Sequence, residues 1–166
     1  MKKHQFLTLT LSATILMTAC RKNDIQHANT GSDASQSIAW RAINNWSQQK
    51  DGNSVSYRSQ QQAPAISSGI ASDGLVLVYQ KSGNTISSLP YEITTGAGTS
   101  SWYYQVSEGE LTLINEISGM ADFDASAASF STLLFTAEKI KQLEAKGIEK
   151  ADMMKLSYEN AISLLK

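Results

Sequence analysis

Five consecutive large apolar residues, Leu75-Val76-Leu77-Val78-Tyr79, constrain this chain more than any other stretch of it. Side chains along a strand point alternately to opposite faces, so a half-wet strand alternates apolar with polar residues. This run does not alternate, is short, and is rich in branched and aromatic residues. It predicts a strand covered on both faces. Asp73-Gly74 precedes it, and Ser82-Gly83-Asn84 turns it into a second strand over residues 85–89. Pro90 ends that strand, because proline has no amide hydrogen for a central ladder.

Around this centre the pattern is that of further strands. Residues 55–60 alternate Val55, Tyr57 and Ser59 with Ser56, Arg58 and Gln60, and Lys50-Asp51-Gly52-Asn53 holds the Asp-Gly pair of tight hairpins. The spacing predicts a hairpin joining residues 38–48 to 54–62, although Trp40, Ile43 and Trp46 also recur at helical spacing. After Pro64, Ser67 is placed to cap one short helical turn carrying Ile66 and Ile70. Residues 99–106 put Trp102, Tyr104 and Val106 on one face and Tyr103 on the other, and Ser107-Glu108-Gly109 returns the chain into residues 110–117. Residues 119–128 are a small-residue loop, and 131–136 form the last strand. Beyond Ala137 the composition shifts to Lys, Glu, Leu and Ala. Residues 138–146 predict a helix stopped by Gly147, and Met154, Tyr158, Ile162 and Leu165 are spaced for a second helix against the sheet. Strands first and helices last predict a mainly β protein: an antiparallel β-sandwich of about seven strands with one or two short C-terminal helices.

The first 19 residues follow a different logic. Lys2, Lys3 and His4 are followed by an apolar stretch over residues 6–17 and by the small pair Thr18-Ala19, which is the order of an export signal. About twelve helical residues rise only ~18 Å, short of the ~30 Å of a bilayer's hydrocarbon core. Cys20, the single cysteine, comes next. Leu16-Met17-Thr18-Ala19-Cys20 resembles the lipobox of bacterial lipoproteins, with Met17 in the place usually held by leucine. The resemblance implies cleavage between Ala19 and Cys20, a diacylglycerol on the cysteine thiol and an acylated new amino terminus. Three acyl chains hold a protein to a membrane lastingly, where one does so only marginally. Arg21, where aspartate would favour inner-membrane retention, implies an outer-membrane address. A conventional secreted protein cut near Ala19 is the alternative. Residues 20–36 carry one large apolar side chain, Ile25, and read as a flexible tether spanning roughly 20–25 Å. Removing 19 of 166 residues leaves 147, enough for the tether and a single β-rich domain over residues 37–166.

A second resemblance rests on the paired tryptophans, Ala65-Ile66-Ser67, Gly74-Leu75-Val76-Leu77-Val78-Tyr79, Leu89-Pro90-Tyr91, the aromatic hairpin and the Leu133-Leu134-Phe135 strand. Together they are similar to a group of small, uncharacterised β-sandwich domains in lipoproteins of Gram-negative gut and soil bacteria. It covers about residues 38–136, with an echo at Tyr158, and implies fold and location but no activity.

Chemistry-bearing residues are few. His4 leaves with the signal and His27 lies in the tether, so the domain has neither His nor Cys. That removes Ser-His-Asp and Cys-His catalysis and ordinary zinc sites, and no catalytic residue, metal or cofactor is expected. Asp122-Phe123-Asp124 opens like a calcium loop, but Ala127 and Leu133 stand where Gly and Glu are required. Glu108 and Glu110 flank a hairpin tip, which favours solvation over paired acid chemistry. The 14 basic and 15 acidic residues nearly cancel, and no cluster of cations offers a nucleic-acid surface. Trp102 and Tyr103 are the candidate ligand contacts, with Trp102 and Tyr104 pointing inward as the competing reading. The expectation is a non-catalytic envelope module whose partners are membrane lipid, through acylated Cys20, and a glycan or another envelope protein. A carboxylate-dependent hydrolase acting on glycans is the alternative.

Overall fold

A computed structural model describes residues 34–121 and 128–166. The signal, Ala19, Cys20, most of the tether, Asp122 and Asp124 lie outside the described residues. Nine strands occur in chain order among them: β1 (Gln36–Ala42), β2 (Ser47–Asp51), β3 (Ser54–Gln62), β4 (Leu75–Ser82), β5 (Thr85–Ser88), β6 (Tyr91–Thr95), β7 (Gly98–Ser107), β8 (Glu110–Gly119) and β9 (Ala128–Phe135). Short helices are α1 (Ser68–Ser72), α2 (Ala137–Glu144), α3 (Lys150–Met153) and α4 (Tyr158–Ser163). The strands form two antiparallel sheets, ordered β1-β9-β4-β5 and β2-β3-β8-β7-β6. The expected sandwich is present, with nine strands rather than about seven.

The apolar run in β4 is buried throughout, as its lack of alternation requires. Val76 and Val78 face the inter-sheet core with Leu113, Phe130, Leu134 and Trp102. Leu75, Leu77 and Tyr79 face the other way, into a second core with Leu133, Phe135, Ile140, Leu143, Met153 and Ala161. The C-terminal helices therefore form a third layer on the four-stranded sheet. Tyr79 donates to the Leu156 carbonyl at 3.1 Å, and Tyr158 packs at 4.9 Å from Trp40 and 5.3 Å from Tyr79, ring centre to ring centre.

Three expectations need correction. The first hairpin arm, expected over 38–48, is two strands in different sheets: β1 pairs with β9 and only β2 pairs with β3. A register shift lies between Ile38 and Arg41, and Ile38 joins the inter-sheet core while Trp40 joins the helix-covered one. Residues 43–46 then cross over, fixed by the bond from the Trp46 indole N–H to the Ile43 carbonyl at 2.9 Å. The expected second helix is two, because the Ser157 hydroxyl accepts from the Asn160 amide and caps a new start. Met153 is buried, and Met154, expected on the packed face, is 49% exposed. Finally, β6 was not expected; it follows the cis Leu89–Pro90 bond and pairs with β7.

Candidate functional site

One end of the sandwich is closed. Ile66 and Ile70 are buried there, and the Ser67 hydroxyl caps α1 by accepting from the Ile70 amide at 3.3 Å. The Ala63 amide donates to the Gly109 carbonyl and the Gly109 amide to the Ile66 carbonyl, each at 2.8 Å, tying the plug to the β7–β8 hairpin tip. A side chain on Gly74 would meet the Phe135 and Ile70 carbonyls at 2.6 and 2.7 Å, so glycine lets α1 turn directly into β4.

The other end is open. A cleft of about 480 Å³ lies between the ends of β4 and β5 in one sheet and β6, β7 and β8 in the other. β4 supplies Gln80 because that position continues the inward face of Val76 and Val78. Gln80 is 5% exposed, and its Oε1 accepts the Tyr91 hydroxyl proton at 2.6 Å, a strut between the sheets. Burial pushes the Tyr91 hydroxyl above its ordinary pKa, which keeps it a donor. Trp102 forms an aromatic wall, buried and packed 5.8 Å from both Trp46 and Phe130.

The polar anomaly is Asn115. In β8 the residues Leu111, Leu113, Asn115 and Ile117 point inward, and Asn115 is 1% exposed. Its Nδ2 donates to the Ser100 hydroxyl at 2.8 Å and to the Ser101 carbonyl at 3.3 Å, while its Oδ1 has no partner among the described residues. An unmade acceptor of this kind costs on the order of 1–3 kcal/mol. At the cleft margin the chain lies backbone on backbone: Gly98 has φ +153°, and an added Cβ would stand 2.1 Å from the Ser118 carbonyl oxygen. Gly119, its cross-strand partner, has φ +78°. The rim carries Ile93, 51% exposed, and Met120, 85% exposed.

No described side chain lining the cleft is Asp, Glu, Lys, Arg or His. The set can exchange hydrogen bonds and bury apolar surface, and it offers no group that titrates near neutrality. Trp102 belongs to this cleft. Tyr103 does not: it lies half-buried on the outer face of β7, opposite Ile114, with its hydroxyl donating to the Glu116 carboxylate. The inward reading of Trp102 thus holds for its packing, and the two residues do not share a site. Glu110 accepts from the Gln60 amide at 2.5 Å, and Glu108 is exposed at the hairpin tip. Among the described residues no three His, Cys, Asp or Glu side chains gather as metal ligands would, and no helix is long and apolar enough to cross a membrane. The sequence reading passed over Gln80, Ser100 and Asn115. The available signal was an amide standing where alternation along β8 demands an apolar residue.

Comparison of the chain with protein-family models, with characterised proteins and with solved structures returns no match.

Proposed function

We propose that this is a lipoprotein of the outer membrane, held by acylated Cys20, whose β-sandwich acts as a non-catalytic binding module through the cleft at its open end. The observation that carries the reading is where the chain enters the domain. Gln36 pairs with Leu134, and the Ser35 hydroxyl accepts from the Thr136 amide at 3.0 Å, both at the closed end. The cleft lies at the opposite end, and the seven steps along β4 from Leu75 to Ser82, at roughly 3.3 Å each, separate the two by ~23 Å. A tether entering at one end and a cleft at the other suit a domain that presents its site away from the surface it is fastened to.

The uncharged lining supports binding over bond-breaking, since general acid–base work needs a group poised near the working pH. A carboxylate hydrolase gains no support from Glu108 and Glu110, one solvated and the other engaged by Gln60. Metabolic labelling with radioactive palmitate, in wild type and Cys20→Ser, tests the anchor. Label is expected in the wild type alone, because a serine hydroxyl cannot form the thioether. Equal incorporation in both would end the lipoprotein reading.

A further inference from the structure

We infer that the open-end cleft takes a neutral saccharide, one or two rings long, and that Asn115 accepts a hydrogen bond from one of its hydroxyls. The inference rests on the binding-module reading and names the ligand class of that same site.

Charge narrows the class first. A phosphate, carboxylate or ammonium brought against Gln80, Tyr91, Ser100 and Asn115 would lose its water and find no counter-charge among the described lining residues. Polarity narrows it next. These side chains are hydroxyls and amides, groups that both donate and accept, and the hydroxyls of a sugar do the same. Asn115 Oδ1 is an acceptor with both neighbouring donor positions of its own amide already committed to Ser100 and Ser101. It needs a donor, and a neutral hydroxyl supplies one without bringing charge.

The rim completes the match. Ile93 and Met120 are two of the three large hydrophobic residues strongly exposed among the described residues, and both border this cleft. A pyranose has an apolar C–H face as well as its hydroxyls, so apolar rim and polar floor are both used. The volume, about 480 Å³, is within the ~300–1,000 Å³ of small-molecule sites. An extended peptide would instead add to the β6 edge by main-chain bonds, leaving the Asn115 side chain unread.

The test uses the full-length protein in mild detergent on two arrays, one of neutral and charged saccharides and one of neutral peptides. Wild type, Asn115→Leu and Ile93→Ala are compared, with thermal melts of each. Neutral mono- or disaccharides should bind, and Asn115→Leu should weaken binding by about tenfold when read well below its own melt, which reflects both the unpaired acceptor removed and the two bonds lost to Ser100 and Ser101. Ile93→Ala, an exposed position, should fold as wild type and bind about fivefold more weakly. Saccharide binding indifferent to Asn115→Leu, or a preference for charged sugars, would overturn the inference. Peptide binding sensitive to Ile93→Ala, without saccharide binding, would overturn the saccharide and leave the binding module standing. Silence on both arrays would count against both.

Discussion

The two ends of the sandwich are built by different means. At the α1 end, side chains do the work: Ile66 and Ile70 are driven into the inter-sheet core, and main-chain bonds to Gly109 seal the plug. At the open end the backbone sets the margin: Gly98 and Gly119 press together, the Met120 amide donates to the Ala97 carbonyl at 2.6 Å, and the space between the sheets is left to Gln80, Trp102 and Asn115. Burying apolar volume stabilises a fold but leaves nothing for a ligand. Leaving a polar floor open costs stability and leaves groups to be read. The difference separates the end that holds the protein together from the end that carries the proposed site.

The sharpest way to break this contrast is to empty the plug. Ile66→Ala should cost about 2–5 kcal/mol, since a fully buried side chain is lost and the surrounding strands cannot collapse onto the gap. The near-UV circular dichroism of the packed Trp46–Trp102 pair reports the melt. A loss below about 1 kcal/mol, as expected of surface positions, would mean the α1 end is not built on packing.

A smaller effect is expected from Gly98→Ala at the open end. The φ of +153° is hostile to a side chain, and the new Cβ would collide with the Ser118 carbonyl, so β7 or β8 must shift. The expected cost is about 1–3 kcal/mol by the same melt. Gly83→Ala serves as the control, because its φ of +56° carries strain but nothing stands within 4 Å of the added carbon. If Gly98→Ala costs no more than Gly83→Ala, the backbone contact is not what holds the margin of this end.

The closed end was more legible in the sequence than the open one, for a physical reason. The β4 run, the Ser67 cap and the Asp73-Gly74 pair before the run are local signals, and each depends on residues close together in the chain. The open end depends on which strand meets which. Asn115 is a polar residue in a strand until the register puts it on the inner face, and Gln80 is the tail of an apolar run until Tyr91 arrives from the other sheet. The crossover at residues 43–46 was hidden likewise, because one apolar pattern served two cores, Trp40 for the helix-covered one and Trp46 for the inter-sheet one. Alternation alone already assigned Trp102 and Tyr103 to opposite faces.

The smallest expected effect compares the two tyrosine struts. Tyr104 donates to the Val76 carbonyl at 2.6 Å toward the closed end, and Tyr91 donates to Gln80 at the open end. Burial raises the pKa of both above the ordinary 10.0, and raises Tyr79 to about 12. Each phenol binds its proton more tightly folded than unfolded, so its contribution to stability is fully present below pH 10 and is lost as the pH rises through the folded value. Stability should therefore be flat in these groups through neutral pH, begin to fall past pH 10, and keep falling to about pH 12, where Tyr79 titrates. Melts of Tyr91→Phe and Tyr104→Phe across that range separate the ends. Each variant should be modestly less stable at neutral pH, by about 0.5–1.5 kcal/mol for a lost hydrogen bond, and its alkaline decline should be shallower than that of wild type. Tyr104→Phe should flatten the decline more, because its phenol is engaged beside the sealed end, whereas Tyr91 borders the cleft. Equal flattening, with tyrosinate absorbance emerging at the same pH in both variants, would show that water reaches the two ends alike and that the open end is not open.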